Sequence, residues 1–490
     1  MPVTSTHSSY DSHSSQWSRC RDCAEGSDAV KKRGIAYLPQ LEAMDLASYD
    51  AYKQRALFFG ATGRTIQGLA GAVFRKPFSF EYPQSFEDQL ERITPDGLSV
   101  DEFSRRVVTE VLTTGRVGLL VDAPAKEDAD SAYVATYTAE SIRNWRVTDI
   151  NGELVLTMIV LEEVYAKSDP SDEFDVENQP QYRVLRLVPG GGDSSYRYQT
   201  DVYRQTNKEV DSWAAVADLS VLPTRNGVPI DRIPFWFVNS SNMTPSPDKP
   251  PLLDMVDVNL SHYRTCADLE HGAHYTALPT AVLTGFPTDN SYAIGSGKAW
   301  VVDDVQAKAT FLEYKGSGLT SLSDLKRDKE QALAVLGARM LESQKKGVEA
   351  EGTHKIRQSG EQGALATIVK TASQGIETAL KYLLWWSGAS DAQVNEVVFD
   401  LNTDFISARM EPQQLKALME AHQASQISQD TFLHNLKEGE ILPQDRTIEE
   451  EKALIDAEMD EDFEGTVTPI KREFSIVKDE TGAATGLKEA

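Results

Sequence analysis

Apolar residues recur at helical spacing between Ser48 and Phe74, where Ala51, Leu57, Phe58, Ala61, Ile66, Leu69, Ala70 and Val73 suit one stripe and Lys76-Pro77 closes the segment. A second helix is predicted from Val100 to Thr113. At Gly115 the period changes. Val117-Gly-Leu-Leu-Val121 is a short apolar run suited to a buried strand that ends at Asp122-Ala-Pro124. The stretches 153–160, 182–187, 196–203 and 235–238 alternate as strands, with Gly190-Gly-Gly192 and Asn226-Gly227 as turns. Residues 29–250 are therefore expected to form an α+β block, preceded by a flexible arm over 1–28, where no periodic apolar positions occur.

From Ser240 the texture is helical. Pro245, Pro247, Pro250 and Pro251 make an extended connector before a helix from Leu252 to about Tyr275, whose stripe is Leu252, Val256, Leu260, Tyr263 and Ala267. Asp254, Asp257, Arg264 and Asp268 fall mostly off that stripe. Residues 280–314 carry short apolar runs broken by glycines and are expected to form a small β-rich insertion. A second long helix follows Ser321-Leu-Ser-Asp324, with Leu322, Leu325, Ala332, Leu333, Leu336 and Met340 as its stripe. Residues 348–355 suit a loop, and Gly360 to Trp386 a third long helix through Ala364, Ile368, Ala372, Ile376, Leu380 and Leu383. One strand at Val397-Val-Phe399 and two shorter helices, Pro412 to Gln423 and Gln429 to Leu436, complete the pattern, and the last ~25 residues are expected to be mobile.

A chain of 490 residues exceeds what one hydrophobic core serves, so two or more structural regions are expected. A mean hydropathy of -0.39 and the lack of an 18-residue apolar run argue against a membrane protein, and the Ser- and His-rich start has no apolar signal core, which fits a product kept in the cytoplasm. The formal net charge of -26 disfavours binding to a phosphate backbone by counterion release. The acidity is uneven: Glu438 to Glu464 holds twelve Asp or Glu against Arg446 and Lys452.

Motifs with chemistry are few. Cys20 and Cys23 have zinc-ligand spacing without a second pair. His271 and His274 lie three apart beside Glu270, but not in the His-Glu-x-x-His order. Gly295-Ser-Gly-Lys298 lacks the upstream Gly and the following Ser or Thr of a phosphate loop, those positions being Tyr292 and Ala299. No catalytic constellation is recognisable, and neither a cofactor nor a metal is expected. Lys345-Lys346 is a short basic cluster between long helices.

Taken in order, these residues resemble the portal proteins of tailed phages, in particular the portal-like family labelled domain of unknown function 4055. The resemblance spans about Trp17 to Glu451. It is carried by Tyr37-Leu-Pro-Gln-Leu-Glu42, Tyr52-Lys-Gln-Arg-Ala-Leu57 leading to Val73-Phe-Arg-Lys-Pro77, and Thr114-Gly-Arg-Val-Gly-Leu-Leu-Val-Asp122. Tyr137-Thr-Ala-Glu-Ser-Ile-Arg-Asn-Trp145, Ile233-Pro-Phe235, the run from Pro251 to Pro279, and Ser428-Gln-Asp-Thr-Phe432 add to it.

The resemblance implies a portal fold assembled as a ring, typically of twelve copies: an α+β wing over 29–250, stem helices over 251–279 and 319–343, and a β-rich clip over 280–318 with Trp300 and Phe311. It further implies a tunnel loop over 344–358 with Lys345, Lys346 and Lys355 against DNA, a long wing helix and returning strand over 359–410, a helical crown over 411–440, and an acidic, partly disordered tail over 441–490. Asp254, Asp257, Leu260, Asp268, Leu325, Leu333 and Leu336 would belong to the stem and channel. The implied partners are sister copies, capsid and scaffolding proteins, the large terminase, a head-to-tail adaptor and double-stranded DNA passing non-specifically. The implied place is a capsid vertex of the virion, after assembly in the host cytoplasm.

Residue chemistry points the same way: two amphipathic helices around a compact insertion are expected to need sister copies to cover their stripes, and an acidic lumen would keep DNA from adhering, within a screening length of about 8 Å. Two alternatives stay open on sequence, a DNA-processing enzyme of the packaging machinery and a head-assembly protein without a channel.

Overall fold

The first helix forms where apolar spacing gives no hint of one. In the computed structural model, α1 (Ser8–Glu25) is capped by His7, whose ring nitrogen accepts from the Ser9 amide at 3.1 Å. Trp17, Cys20 and Cys23 are almost fully buried. The buried face is sparse in apolar residues because His13 stacks on Trp17 and Arg21 reaches out to Glu110 and Glu140. The expectation of a flexible arm over 1–28 is corrected by this helix: one tryptophan and two small thiols anchor a segment that composition alone marks as polar.

The structure describes residues 2–42, 44–123, 132–169, 172–190, 196–207, 212–277, 280–287, 292, 300–312, 316–338, 363–405, 412–439, 441–443, 446–464, 474–478 and 484–489. The chain divides into two units, Met1–Phe405 and Ile406–Ala490.

In the first unit α2 (Ser27–Lys32), α3 (Leu46–Arg55) and α4 (Ala61–Val73) follow α1. The single helix expected over 48–74 is two helices, because the chain turns extended at Ala56 and aims Phe58 edge-on at Tyr263, 5.9 Å away. Gly63 lets α4 cross α1 closely, since a Cβ there would stand 2.6 Å from the Ala24 carbonyl oxygen. After β1 (Ser79–Glu81) and α5 (Glu87–Leu90), α6 (Val100–Thr114) opens on a capping box of Ser99 and Glu102 and ends at Gly115 in the left-handed region, φ 78°.

Two antiparallel sheets come next. β2 (Arg116–Asp122), buried throughout, sits between β3 (Tyr133–Thr138) and the later β11 (Phe235–Asn239). The other sheet runs β4 (Ile142–Ile150), β5 (Glu153–Asp169), β6 (Asp172–Pro189), β7 (Tyr196–Asn207) and β8 (Ser212–Ala215) in sequence order. A short hairpin of β9 (Thr224–Arg225) and β10 (Val228–Pro229) precedes β11.

α7 (Leu253–Ala277), β12 (Thr280–Thr284), β13 (Lys308–Leu312), α8 (Ser317–Ala338) and the long helix α9 (Ala364–Trp386) follow. α9 packs Leu365, Ile368, Val369, Ala372, Ile376 and Leu380 into the main core against α6, β2 and β11. Gly375 makes the contact with β11 possible, because a Cβ there would lie 2.3 Å from Val238. The unit closes with α10 (Asp391–Asn395) and β14 (Val398–Asp400), which returns to pair with β1.

The second unit holds α11 (Pro412–Gln423) and α12 (Gln429–Glu438), with His422 stacked on Phe432 at 4.4 Å. The acidic segment, expected to be partly disordered, contains the helix α13 (Ile448–Glu464). Its start is set by Thr447 and Glu450, which exchange hydrogen bonds at 2.8 and 3.1 Å, and Glu449, Glu450 and Glu451 lie in the first turn where the helix dipole favours them. The last residues, expected to be mobile, form an antiparallel hairpin of β15 (Phe474–Lys478) and β16 (Ala484–Glu489).

Candidate functional site

α7 and α8 pack against each other and are joined through the two-stranded ladder of β12 and β13, whose register runs from Thr280 opposite Leu312 to Thr284 opposite Lys308. The base of α7 is buried almost all round. Leu252, Val256, Leu260, Tyr263 and Ala267 are 0–3% exposed; the last four share one apolar cluster with Cys20, Cys23, Tyr49, Tyr52 and Phe58 of the same chain, while Leu252 joins the main core. The expectation that this stripe needs sister copies is therefore overturned for the base of the helix. The N-terminal helices supply the partners, and α1 is the one that apolar periodicity does not reveal.

The expected stem residues separate accordingly. Leu260 and Leu333 are buried, and Leu336 packs partly against the main core. Leu325 does not join them: it is 45% exposed, on the outer side of α8. Asp257 pairs with Arg19 of α1 at 2.9 Å, and Asp268 accepts from the Tyr52 hydroxyl at 2.6 Å, so both carboxylates are engaged by the chain's own N-terminal helices. Asp254 meets Lys249 at 2.6 Å in an exposed pair.

A polar cluster that sequence spacing does not announce pins the helix crossing. His262, 1% exposed on its side chain, lies 3.3 Å from Glu330 through Nε2 and 3.7 Å from the Cys266 sulfur. Lys329 donates to the Thr265 hydroxyl at 2.6 Å and to the Ser261 carbonyl at 3.2 Å. Burial lowers the pKa of His262, against the raising influence of Glu330, and burial also lowers that of Lys329. The traces in sequence are the i,i+4 pairs His262–Cys266 and Lys326–Glu330, neither of which identifies its partner helix. Further along, Gly272 admits Leu319, since a Cβ there would sit 2.7 Å from a Leu319 methyl.

The far end of the pair is exposed. Phe311 and its cross-strand partner Ala281 share one face of the ladder, while Val282 and Leu312 share the other. Phe311 is 56% exposed, Leu312 50% and Val282 40%, so neither face is covered by the rest of the described chain. Tyr275 at the end of α7 is 53% exposed, and Trp300 stands edge-on to Phe286 at 6.2 Å. Lys345, Lys346 and Lys355 lie outside the described residues, as does Gly295-Ser-Gly-Lys298.

The other chemical candidates have structural employment. Cys20 and Cys23 are buried, and burial pushes the Cys20 thiol up to about 12, which keeps it from the thiolate form that metals and electrophiles need. His271 turns its ring edge to Tyr52 and Tyr275, and among the described residues no group of three metal-capable side chains occurs. Between the two sheets, Glu163 accepts from Arg183 at 2.6 Å, Tyr137 at 2.6 Å and Gln181 at 2.8 Å, and Arg183 also reaches Asp122 at 3.3 Å. That network commits its carboxylates to holding the sheets together. Among the described residues no helix is long and apolar enough to cross a membrane.

Residues 251–387 match the family model described as Domain of unknown function (DUF4055). The match spans α7, the β12–β13 ladder, α8 and α9, and leaves both large sheets outside it. No curated protein is similar to the chain. Among solved structures, a chain titled as the neck of an empty GTA particle computed with C6 symmetry is similar at 12% identity, with a TM-score of 0.37 over 78% of this chain and 91% of that one. A chain from the virion of a native gene transfer agent (GTA) particle is similar at 11% identity and a TM-score of 0.35, over 84% and 98%. At these TM-scores the likeness carries no argument about fold or function.

Proposed function

We propose that the protein is a phage portal: a structural ring subunit at a capsid vertex, through whose axis double-stranded DNA is packaged and ejected. The observation that carries this is the asymmetry of the helix pair. Its base is locked into the subunit's own core, while its far end presents both faces of a small ladder with Phe311, Val282 and Leu312 exposed. An apolar surface at the tip of an anchored projection fits association with other chains, and a closed ring lets every copy cover its neighbour. The ordered motifs from Tyr37 to Phe432 support the same function, as does a family match confined to the helix–ladder–helix–helix segment.

In the proposed ring, α7 and α8 form the stem, the ladder with Trp300 and Phe311 forms the clip that docks the terminase and later the adaptor, and Lys345, Lys346 and Lys355 touch passing phosphates. The subunit acts by shape and charge, without catalysis or cofactor. Class averages from electron microscopy of the purified protein test this. A cyclic oligomer with an axial opening wide enough for a duplex is expected, whereas a ring without such an opening points to a head-assembly component, and DNA or ATP hydrolysis by the pure chain points to an enzyme. Lys345→Glu combined with Lys346→Glu is expected to leave ring assembly intact and to impair packaging; unimpaired packaging removes the loop assignment.

A further inference from the structure

α7 leaves the core along a seam with α3, and two side-chain rungs make that seam. In the first, the Tyr52 hydroxyl donates to Asp268 at 2.6 Å. In the second, the Arg55 guanidinium meets Nδ1 of His271 at 3.3 Å. Tyr52 and Arg55 lie three residues apart on α3, and Asp268 and His271 three apart on α7, so the rungs are neighbours on both helices. The rings of Tyr52 and His271 stand edge-on at 5.1 Å, and Tyr275 meets the same imidazole edge-on at 4.7 Å. Ala267, one residue before the seam, is fully buried, whereas Tyr275 after it is 53% exposed. The two rungs thus sit where the anchored half of the helix gives way to the exposed one.

The second rung fixes the state of its histidine. A guanidinium carries only donors and keeps its charge throughout the pH range in which proteins fold. Nδ1 of His271 is therefore the acceptor, and the ring is neutral with its proton on Nε2. The titratable and charged groups facing this ring are Tyr52 and Arg55 of α3 and Asp268, His274 and Tyr275 of α7. α8 meets the same turn of α7 through Leu319, an apolar contact at Gly272. Burial and the Arg55 charge hold the pKa of His271 below its ordinary 6.5, with His274 acting in the same sense and Asp268 against them.

We propose that the Arg55–His271 contact is a proton-operated clasp on the far half of α7. While the ring is neutral, Arg55 holds the helix to the end of α3. When Nδ1 takes a proton the acceptor is gone, and two cations face each other across the length of one hydrogen bond. The imidazolium then turns to Asp268, three residues back, and competes with Tyr52 for that carboxylate, so both rungs weaken together. The turns from Asp268 to Ala277 loosen from α3 as pH falls below 6.5 and are held again when it returns to neutral. The device belongs to the single subunit and stands whether or not copies close into a ring.

Hydrogen exchange of the full-length chain, at a dilution where it is monomeric, tests this at about pH 7.5 and about pH 5, with each rate divided by its intrinsic value at that pH. Protection at 268–277 is expected to fall about 10-fold in the parent at the lower pH. His262→Gln, which removes the buried histidine of the α7–α8 crossing, is expected to show the same fall. His271→Asn places an acceptor, Oδ1, where Nδ1 stands and takes no proton, so its protection is expected to change by less than about 2-fold. Arg55→Gln keeps a donor and removes the opposing charge, and is likewise expected to hold the fall to about 2-fold. A parent that loses no protection at 268–277, or a fall that persists at full size in His271→Asn, overturns the clasp. Should His271→Asn already lack protection at neutral pH, Arg55→Gln decides by the same criterion. A fall that His262→Gln abolishes assigns the response to the helix crossing and overturns the clasp equally.

Discussion

The two halves of α7 belong to one continuous helix and live in different surroundings. From Leu253 to Ala267 nearly every turn is buried against α1, α3, α4 and α8, whereas from Asp268 to Ala277 the side chains are half-buried or exposed, and the ladder beyond is exposed on both faces. The lesson is that folding and assembly draw on separate stretches of the same element. The near half belongs to the subunit's own stability, and the far half to what the subunit meets.

The largest expected effect separates the halves directly. Leu260→Ala removes a side chain that is 3% exposed and is expected to cost about 2–5 kcal/mol of unfolding free energy, while Leu325→Ala, at 45% exposure, is expected to cost less than about 0.5 kcal/mol. Guanidinium titration of the unassembled chain measures both, and equal losses would break the contrast. Arg21 then tests whether α1 latches the near half. Its guanidinium meets Glu110 at 2.8 Å and Glu140 at 2.7 Å, so Arg21→Met, which strands two carboxylates, is expected to cost about 2 kcal/mol. Arg116→Met is the counterpart. Arg116 is fully buried against Trp145 and Phe237, its guanidinium donates to the Pro245 carbonyl at 2.9 Å, and burial lowers its pKa to about 9. Removing a buried charge that has no ion-pair partner among the described residues is expected to change stability by less than about 1 kcal/mol, in either direction.

Assembly comes next in size. Phe311→Ser is expected to leave the subunit's unfolding midpoint unchanged and to weaken oligomer formation about 10-fold, as read by sedimentation across a dilution series. The smallest effect is on pH. Burial holds the folded pKa of His262 below its ordinary 6.5, so the unfolded chain binds more protons in the window just below 6.5, and stability falls as pH drops through it. The thermal midpoint is expected to decrease between pH 7.5 and 5.5, and His262→Gln to shrink the decrease. His7 and His271 shift in the same direction, so it will not vanish.

How much of this was legible in the residues follows from what each face is made of. α6, the base of α7 and α9 bury regular apolar stripes, and their spacing predicts them to within a few residues. α1 escaped because Trp17, Cys20 and Cys23 are joined on its buried side by His13 and Arg21, which an apolar count does not register. β5 and β6 run well beyond the predicted strands because their outer halves alternate a polar network of Glu163, Tyr165, Gln179 and Gln181 with an exposed apolar face. At the site, the ladder and both helices were foreseeable. The partners of Asp257 and Asp268 were not, since Arg19 and Tyr52 lie more than 200 residues away along the chain and no local spacing encodes them.

Native mass spectrometry of the purified full-length chain across a concentration series bears most directly on the central claim, that the exposed far end of the helix pair is covered by sister copies arranged about an axis. A single closed homo-oligomer is expected, with hydrogen exchange slowed at residues 268–284 and 308–325 on assembly and unchanged at 253–267. A chain that stays monomeric at every concentration, or an oligomer that leaves exchange at 268–284 and 308–325 as fast as in the monomer, would contradict it.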